Sequence, residues 1–176
     1  MILETSRLLL RQWRDTDAEP FAQLNADSAV MEFFPATLSA AESNLHMQRL
    51  RDAITERGWG LWAVELKTTN EFMGFTGLNI PFFSELPFYP CTEIGWRLAK
   101  KFWGNGYATE AAKASLEFAF AKLELDEVVA FTPVLNLRSA AVMQRLGMED
   151  TKKNFLHPAI PTTNKLREHF LYRITR

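Results

Sequence analysis

The stretch EIGWRLAKKFWGNGYATEA, residues 93–111, has the features of a strand, a glycine-containing turn and a helix in succession. Its first six residues are rich in strand formers, and the part from Tyr107 onward carries small residues at helical spacing. Gly104 and Gly106 lie between the two, where glycine lets the backbone approach a ligand closely. The unpaired N–H groups and the positive dipole end of such a helix start favour an anion.

This turn has four interpretations, and the residues disfavour the first two. A P-loop needs the pattern G-x-x-x-x-G-K-[ST], which is absent from the chain. A dinucleotide fingerprint needs a third glycine where the chain has Thr109, and it usually opens the first strand–helix unit of its domain. The other two are a site for the pyrophosphate of coenzyme A and an ordinary strand–helix turn.

Outward from this stretch, the sequence predicts further strands and helices. Strands are predicted at 6–13, 60–67, 72–80, 91–98, 127–134 and 169–174, and helices at 16–25, 39–57, 107–122 and 136–146. Thr16 with Glu19 predicts a capping box at the first helix, and Ser39 with Glu42 predicts another at the second. Consecutive strands in the middle and alternation at the end indicate an α/β (α+β) fold with a mixed sheet and helices on both sides.

Composition limits the class of protein. A chain of 176 residues with 47% hydrophobic and 23% charged residues fits one domain spanning 1–176. A net charge of −1 disfavours a nucleic-acid partner. One cysteine, Cys91, excludes an internal disulfide or a cysteine-rich metal site, and it fits the reducing cytoplasm. Apolar runs of signal-peptide or membrane-spanning length are absent, so no membrane association is expected.

The combination of EIGWRL (93–98) with WGNGYATEA (103–111) resembles the GNAT superfamily of acetyl-CoA-dependent N-acetyltransferases. The resemblance runs over nearly the whole chain, from TSRLLLRQW at 5–13 to RLGM at 145–148, and is strongest to the branch of the ribosomal-protein N-terminal acetyltransferases. It implies a central mixed, mostly antiparallel sheet flanked by helices, with splayed strands at the cofactor site. It also implies acetyl-CoA as cosubstrate, no metal, and a protein N-terminus or small-molecule amine as acceptor. Homodimers are common in the family.

The resemblance also implies a set of cofactor-binding residues. The pyrophosphate would lie on backbone N–H groups of the glycine loop, and the pantetheine arm would pair with the preceding strand. The implied positions are Trp96, Arg97, Leu98, Lys101, Phe102, Trp103, Gly104, Asn105, Gly106, Tyr107, Ala108 and Thr109. Asn136 matches a family asparagine that bonds the pantetheine arm, and a helix N-cap is a compatible second role. Lys101 stands where the family often has Gln or Arg.

The implied reaction is direct attack of a free amine on the thioester, which needs no covalent enzyme intermediate. Many superfamily members use a tyrosine to protonate the thiolate, but that position is Met143 here. Ser139 matches a serine of the N-terminal acetyltransferase branch and is the first candidate for this role, with Tyr172 in reserve. A backbone N–H of the strand 96–98 is expected to stabilise the oxyanion.

Glu93 is the candidate general base, because carboxylates at similar strand positions act as bases in some superfamily members. A salt bridge to Arg97, which shares its strand face, is the alternative. His157 and His169 are further candidates, whereas His46 is expected to be solvated on a polar helix. Aromatic and proline-rich segments at 31–35, 81–90 and 154–161 fall where the family builds its acceptor pocket. A non-catalytic acyl-CoA-binding or sensor module is the alternative function.

Overall fold

The computed structural model of the protein describes residues 2–176. The strands are β1 (Leu3–Glu4), β2 (Leu8–Arg11), β3 (Leu61–Leu66), β4 (Glu71–Asn79), β5 (Glu93–Leu98), β6 (Glu127–Pro133), β7 (Glu149–Asp150), β8 (Phe155–Leu156) and β9 (Glu168–Thr175). The α-helices are α1 (Ala18–Ala26), α2 (Ala40–Arg57), α3 (Tyr107–Ala121) and α4 (Leu137–Arg145). Short 3-10 turns at Asp15–Asp17 and Lys100–Phe102 precede α1 and the glycine loop.

These strands form one sheet in the order β1-β2-β3-β4-β5-β6-β9-β7, with β8 paired to β9. Within residues 2–176, β5 and β6 make the one parallel pairing, and every other pairing is antiparallel. The predicted mixed, mostly antiparallel sheet is therefore confirmed. Three two-residue strands, β1, β7 and β8, were outside the prediction, because so short a segment has no measurable alternation.

Helices cover both faces of the sheet. On one face Phe118 of α3 packs edge-on against Trp62 of β3, with ring centroids 5.4 Å apart. On the other face Phe21 of α1 contacts Trp13 and Phe75, at 4.9 and 6.0 Å between ring centroids. Of the small residues predicted to bring α3 close to the sheet, Ala108 is half-buried, and the others are fully buried: Ala111, Ala112, Ser115 and Ala119.

The two predicted capping boxes have different outcomes. Glu42 N donates to Ser39 Oγ at 3.3 Å and Ser39 N donates to Glu42 Oε2 at 2.8 Å, so the box that begins α2 is confirmed. The box of Thr16 with Glu19 is wrong, because the helix begins at Ala18 and residues 15–17 form a 3-10 turn instead. This 3-10 turn is held by an ion pair that local sequence does not reveal.

That ion pair belongs to a buried charge cluster around Arg11. The guanidinium donates to both carboxylate oxygens of Asp17 at 2.7 and 2.8 Å and to Glu65 Oε2 at 2.7 Å. Burial opposes the charge on Arg11, but hydrogen bonds to the two carboxylates raise its pKa. The cluster joins β2, β3 and the turn that begins α1, and so fixes where α1 lies against the sheet.

Residues 2–176 contain no helix that combines the length and the apolarity needed to cross a bilayer. The same residues contain no group of three or more His, Cys, Asp or Glu side chains placed to hold a metal ion. At the centre of the sheet, the parallel pairing of β5 with β6 is incomplete.

Candidate active site

The strands β5 and β6 separate almost as soon as they meet. They share a single register pair, Glu93 with Val129, next to a hydrogen bond of 3.0 Å from Val129 N to Thr92 O. Beyond this point, toward Leu98 and Pro133, the described strands have no further ladder pair. The predicted splay is thus confirmed, and it opens a gap in the middle of the sheet with Glu93 at its apex.

Main-chain groups of β5 face this gap at alternate residues. Ala99 N donates to Met73 O at 2.8 Å on the β4 side, in register with the pairing of Arg97 with Phe75. Because antiparallel partners alternate, the main chain of Arg97 also faces β4, whereas those of Trp96 and Leu98 face the gap. The carbonyl of Leu98 accepts a 2.8 Å hydrogen bond from Trp103 Nε1. Arg97 can therefore contribute its side chain to the site, but not its main chain.

The loop that follows β5 presents a row of free main-chain donors. Gly104 and Gly106 both have φ of +77°, and a Cβ added at Gly104 would enter open space. The first helical bond of α3 runs from Glu110 N to Gly106 O, so the N–H groups of 107–109 have no partner within the helix. The N–H groups of 104–106 likewise bond to no group of the described chain. Residues 104–109, here called the glycine loop, can hold an anion.

A contact that the sequence did not reveal fixes this loop. Glu110, in the first turn of α3, accepts hydrogen bonds from Thr5 Oγ1 at 2.6 Å and from Arg7 N at 3.0 Å and Arg7 Nε at 2.6 Å. Arg7 also donates from Nη1 to Asn105 O at 3.1 Å. Burial opposes the charge of Glu110, but these bonds lower its pKa. The Arg7 charge is paired with that of Glu110, so the contact positions the loop, and no local pattern predicts such a contact between residues so far apart in the chain.

The remaining side chains predicted at the loop have structural partners. Lys101 is exposed and forms an ion pair with Glu71 of β4. Phe102 is buried in the core, and Trp103 lies under the Arg138 guanidinium at 4.5 Å. Tyr107 lies under the Arg7 guanidinium at 4.4 Å. Anion binding at this loop would therefore depend on main-chain N–H groups and not on the side chains of Lys101, Phe102 or Trp103.

Asn136 ends the connection from β6 and caps α4. Its Oδ1 accepts a 3.2 Å hydrogen bond from Ser139 N, so the predicted N-cap is confirmed. Its Nδ2 donates to Thr132 Oγ1 and to Ser139 Oγ, both at 3.0 Å. The Ser139 hydroxyl thus accepts from Asn136, and its own proton is free to be donated elsewhere.

Glu93 is largely buried and carries a perturbed carboxyl group. Burial raises its pKa to about 7, although a 2.8 Å hydrogen bond from Asn79 Nδ2 acts in the opposite direction. The predicted alternative, a salt bridge with Arg97, is wrong, because Arg97 Nη1 donates instead to Asn25 Oδ1 at 2.6 Å. A carboxyl group with a pKa near neutrality is suited to accept a proton at pH 7.

The other proton-transfer candidates are less favourably placed. Tyr172 is buried in the main core, and its hydroxyl accepts a 3.4 Å hydrogen bond from Gln144 Nε2. His169 and His157 pack together at 5.0 Å between ring centroids. Burial lowers the pKa of His169 to about 4 and also lowers that of His157, so both are weak bases. Burial raises the pKa of Cys91 to about 11, which keeps it a thiol.

Two aromatic groups flank the gap on the Glu93 face of the sheet. In the segment 31–35, the ring of Phe34 lies 4.1 Å from the Arg97 guanidinium, and Glu32 pairs with Arg138 of α4 at 2.7 Å. Across the gap, Phe131 of β6 contacts His157 and His169, at 6.0 and 6.2 Å between ring centroids. Alternation along β5 places Glu93 and Arg97 on the same face of the sheet. The pairing of Glu93 with Val129 places Val129 and Phe131 on that face too, on the neighbouring strand β6.

The polar character of α2 predicted that His46 is solvated, but its side chain packs against aromatic rings. Its ring lies 5.8 Å from that of Phe21 and 6.2 Å from that of Phe75. Burial, together with the charge of Arg97, lowers its pKa to about 4. The prediction was wrong because α2 turns this position toward the sheet, beside the Arg97 side chain.

A splayed mixed sheet with a donor-rich loop at the mouth of the gap defines an α/β acyltransferase. The chain belongs to the GNAT family: the family model described as acetyltransferase (GNAT) domain matches residues 7–149. It is accordingly an N-acetyltransferase of a family that uses acetyl-CoA as cosubstrate.

Relatives and solved structures agree with this assignment. The YkkB protein of Bacillus subtilis is 32% identical over 153 residues, covering 85% of this chain and 86% of YkkB. The FsC-acetyl coenzyme A-N(2)-transacetylase of Aspergillus fumigatus is 31% identical over 180 residues, covering 99% of this chain and 76% of that protein. A GNAT-family acetyltransferase structure from Bacillus anthracis has a TM-score of 0.82 at 26% identity, covering 99% and 98% of the two chains. RimL, a ribosomal L7/L12 α-N-protein acetyltransferase solved with coenzyme A, shares the fold with a TM-score of 0.77 at 18% identity, over 99% and 98%.

Valine at Gly104 or Gly106 should abolish the stabilisation of the protein by acetyl-CoA, because its side chain would occupy the space above the donors. For the wild type, a ligand at a hundred times its dissociation constant adds about 2.7 kcal/mol to the free energy of unfolding. Differential scanning fluorimetry with millimolar acetyl-CoA measures the effect. Gly58→Val is the matched control, because Gly58 also has positive φ (+79°) and open space but caps α2. Retention of the wild-type shift by both loop variants would contradict the assignment.

Proposed function

We propose that this N-acetyltransferase transfers the acetyl group in one direct step to a free primary amine, either a protein N-terminal α-amine or the amine of a small molecule. The observation that carries the proposal is the alignment of three features along one gap. Free donors of the glycine loop lie at its mouth, unpaired main-chain groups of β5 along its side, and the Glu93 carboxyl at its apex.

The residues present fit coenzyme A. The six N–H groups of the glycine loop provide a site for the pyrophosphate at the start of α3, with Arg7 beside it. The main-chain groups of Trp96 and the N–H of Leu98 face the gap and can pair with the pantetheine arm as an added strand. The cosubstrate supplies an acetyl group activated as a thioester. Asn136, whose amide spans β6 and α4, is the proposed contact from the opposite side of the gap.

Glu93 is the proposed general base. An amine attacks only after it loses its proton, and a carboxylate whose pKa lies near 7 can remove that proton at neutral pH. The hydrogen bond from Asn79 Nδ2 fixes the orientation of the carboxyl group. The negative charge that develops on the acetyl oxygen would be stabilised by the main-chain N–H of Trp96 or Leu98, which faces the gap.

Ser139 is the proposed donor to the departing thiolate. The hydrogen bond from Asn136 Nδ2 occupies an acceptor position of its hydroxyl, so the hydroxyl proton is directed away from Asn136. Tyr172 is a less suitable donor, because it is buried in the core and its hydroxyl faces Gln144. Met143, at the position of the usual superfamily tyrosine, is also buried and has no proton to donate.

Two similar proteins support an amine acceptor of either kind. By its name, the FsC transacetylase acetylates an N(2) amine, and RimL acetylates the α-amine of ribosomal L7/L12. The aromatic side chains of Phe34, Phe131 and His157 provide apolar walls on the Glu93 face that suit either acceptor. A homodimer is part of the proposal by family resemblance. A single domain over 1–176 and a cytoplasmic location are also part of it, from the chain length and the single cysteine.

An acceptor screen tests the transfer itself. Release of the coenzyme A thiol is followed with N-terminal peptides, amino acids, polyamines and aminoglycosides as acceptors. We expect release that depends on the presence of an amine and yields an N-acetylated product by mass spectrometry. Thioester loss that no amine accelerates, together with a normal acetyl-CoA melting shift, would support a binding or sensor module instead.

Replacing Glu93 with glutamine should remove a titration from the activity profile. In the wild type, kcat/KM should rise as pH increases through about 7, because the carboxyl group must lose its proton before it can act as a base. Glu93→Gln should lose this inflection, and kcat should fall about 10²-fold or more. Glu127→Gln on β6 is the control, since Glu127 is half-exposed and outside the gap. An unchanged inflection in Glu93→Gln would show that another group titrates.

Ser139→Ala should lower kcat by about 10²-fold, with little change in acetyl-CoA binding, if thiolate protonation limits the rate. The alanine variant keeps the main-chain N–H that Asn136 caps, so α4 should stay folded. Steady-state kinetics together with the acetyl-CoA melting shift separate the two effects. Tyr172→Phe is the comparison and should retain kcat. The opposite ranking of the two variants would transfer the donor role to Tyr172.

A further inference from the structure

Arg97 is a largely buried cation that lacks an acidic partner. Its Nη1 donates to the neutral Asn25 Oδ1 at 2.6 Å, and its Nε is buried without any hydrogen-bond partner. The salt bridges formed by residues 2–176 do not include it. Burial accordingly lowers its pKa to about 10, which still leaves it charged at neutral pH.

The surroundings of the Arg97 side chain are neutral and rigid. Asn25 is fully buried and donates from Nδ2 to Ser43 Oγ at 2.9 Å, which fixes the orientation of its amide. His46, from the next turn of α2, has a low pKa and therefore adds no charge at pH 7. Phe75 lies 5.2 Å from the guanidinium on the sheet side. The pocket thus has a positive potential that no described side chain balances.

The side chain that lies over the Arg97 guanidinium is partly exposed. Phe34 lies over the guanidinium at 4.1 Å, yet 38% of its surface is exposed, and it comes from the connection between α1 and α2. Arg97 also shares its strand face with Glu93, the proposed base. Arg97 itself keeps a partly exposed side chain, so a ligand on the Glu93 face can approach its guanidinium beside Phe34.

We propose that Arg97 binds an anionic group of the acceptor, a carboxylate in the first instance, so that the enzyme selects amines that also carry a carboxylate. This inference rests on the proposed N-acetyltransferase function and specifies its substrate class. Arg97 is assigned here as a specificity residue that orients the acceptor, and not as a group that takes part in the transfer.

The physical reason is the unfavourable state of the free pocket. A buried charge without a partner is destabilising, and it is relieved when a ligand supplies the opposite charge. The planar guanidinium has donors left over after its single bond to Asn25, and their geometry matches a carboxylate. A positive charge nearby also disfavours the ammonium form of the acceptor, which must become a neutral amine before it attacks.

Matched acceptor pairs test the proposal. Each pair differs in one carboxylate: alanine and alaninamide, glutamate and glutamine, and N-terminal peptides with Glu or Gln as second residue. For the wild type, we expect kcat/KM to be at least tenfold higher for the anionic member of at least one pair, corresponding to about 1.4 kcal/mol. In Arg97→Gln that preference should fall to near one, with kcat for the neutral member retained within a few-fold.

Two further variants separate charge from folding. Arg97→Lys keeps the charge without the planar fork and should retain part of the preference. Arg49→Gln removes the same charge from an exposed position on α2 and should retain all of it. Arg97→Gln should also melt no lower than the wild type without ligand, because it removes an unpaired buried charge. Equal kcat/KM for both members of every pair, or a preference that survives in Arg97→Gln, would overturn the inference.

A binding measurement distinguishes failure of this inference from failure of the proposed function. The same pairs are added to the protein saturated with coenzyme A, and the melting temperature is followed without turnover. A carboxylate-specific shift that disappears in Arg97→Gln would support the inference even if no amine is acetylated. Acetylation of amines with neither a rate preference nor a carboxylate-specific shift would leave the proposed function intact and exclude this role of Arg97.

Discussion

The separation of β5 from β6 after one shared register pair is the constraint on which the site depends. Main-chain N–H and C=O groups in the middle of a sheet normally pair with a neighbouring strand, and leaving them unpaired in a buried place is unfavourable. Here the Leu98 carbonyl accepts a hydrogen bond from Trp103 Nε1, while the main chain of Trp96 has no partner across the gap. The unsatisfied strand edge is therefore complementary to a ligand that can itself act as a strand.

Other parts of the fold hold this gap open. The small-residue face of α3 packs on one side of β5, and the Glu110 contacts with Thr5 and Arg7 fix the helix start where the glycine loop ends. On the other side, Asn136 joins the end of β6 to α4. At the mouth of the gap, Trp103 Nε1 occupies the Leu98 carbonyl, and the Trp103 ring lies under Arg138 of α4. The main chain of Trp96 and the N–H of Leu98 remain available to a bound molecule.

The buried charges of this protein are of two kinds: some are compensated by oppositely charged side chains, and others have no such partner. Arg11 is fully compensated by Asp17 and Glu65, and its pKa is raised. Glu93 and Arg97 have only neutral hydrogen-bond partners. Burial raises the pKa of Glu93 and lowers that of Arg97, and both shifts favour the uncharged form. Such unbalanced charges reduce stability, so they are more readily explained by proton transfer and substrate binding than by folding.

The sequence alone determined the six long strands, the four helices, the Ser39 cap and the glycine loop, because these depend on alternation, helical spacing and local turn chemistry. It also placed Glu93 on the strand that leads to this loop and Asn136 at the start of α4. Only the tertiary structure decided that Glu93 and Arg97 do not pair, that His46 is half-buried near Arg97, and that Arg7 reaches the glycine loop. Residues distant in the chain create these features: α1 and α2 pack beside Arg97 and Phe75, and the loss of water there lowers the pKa values of Arg97 and His46.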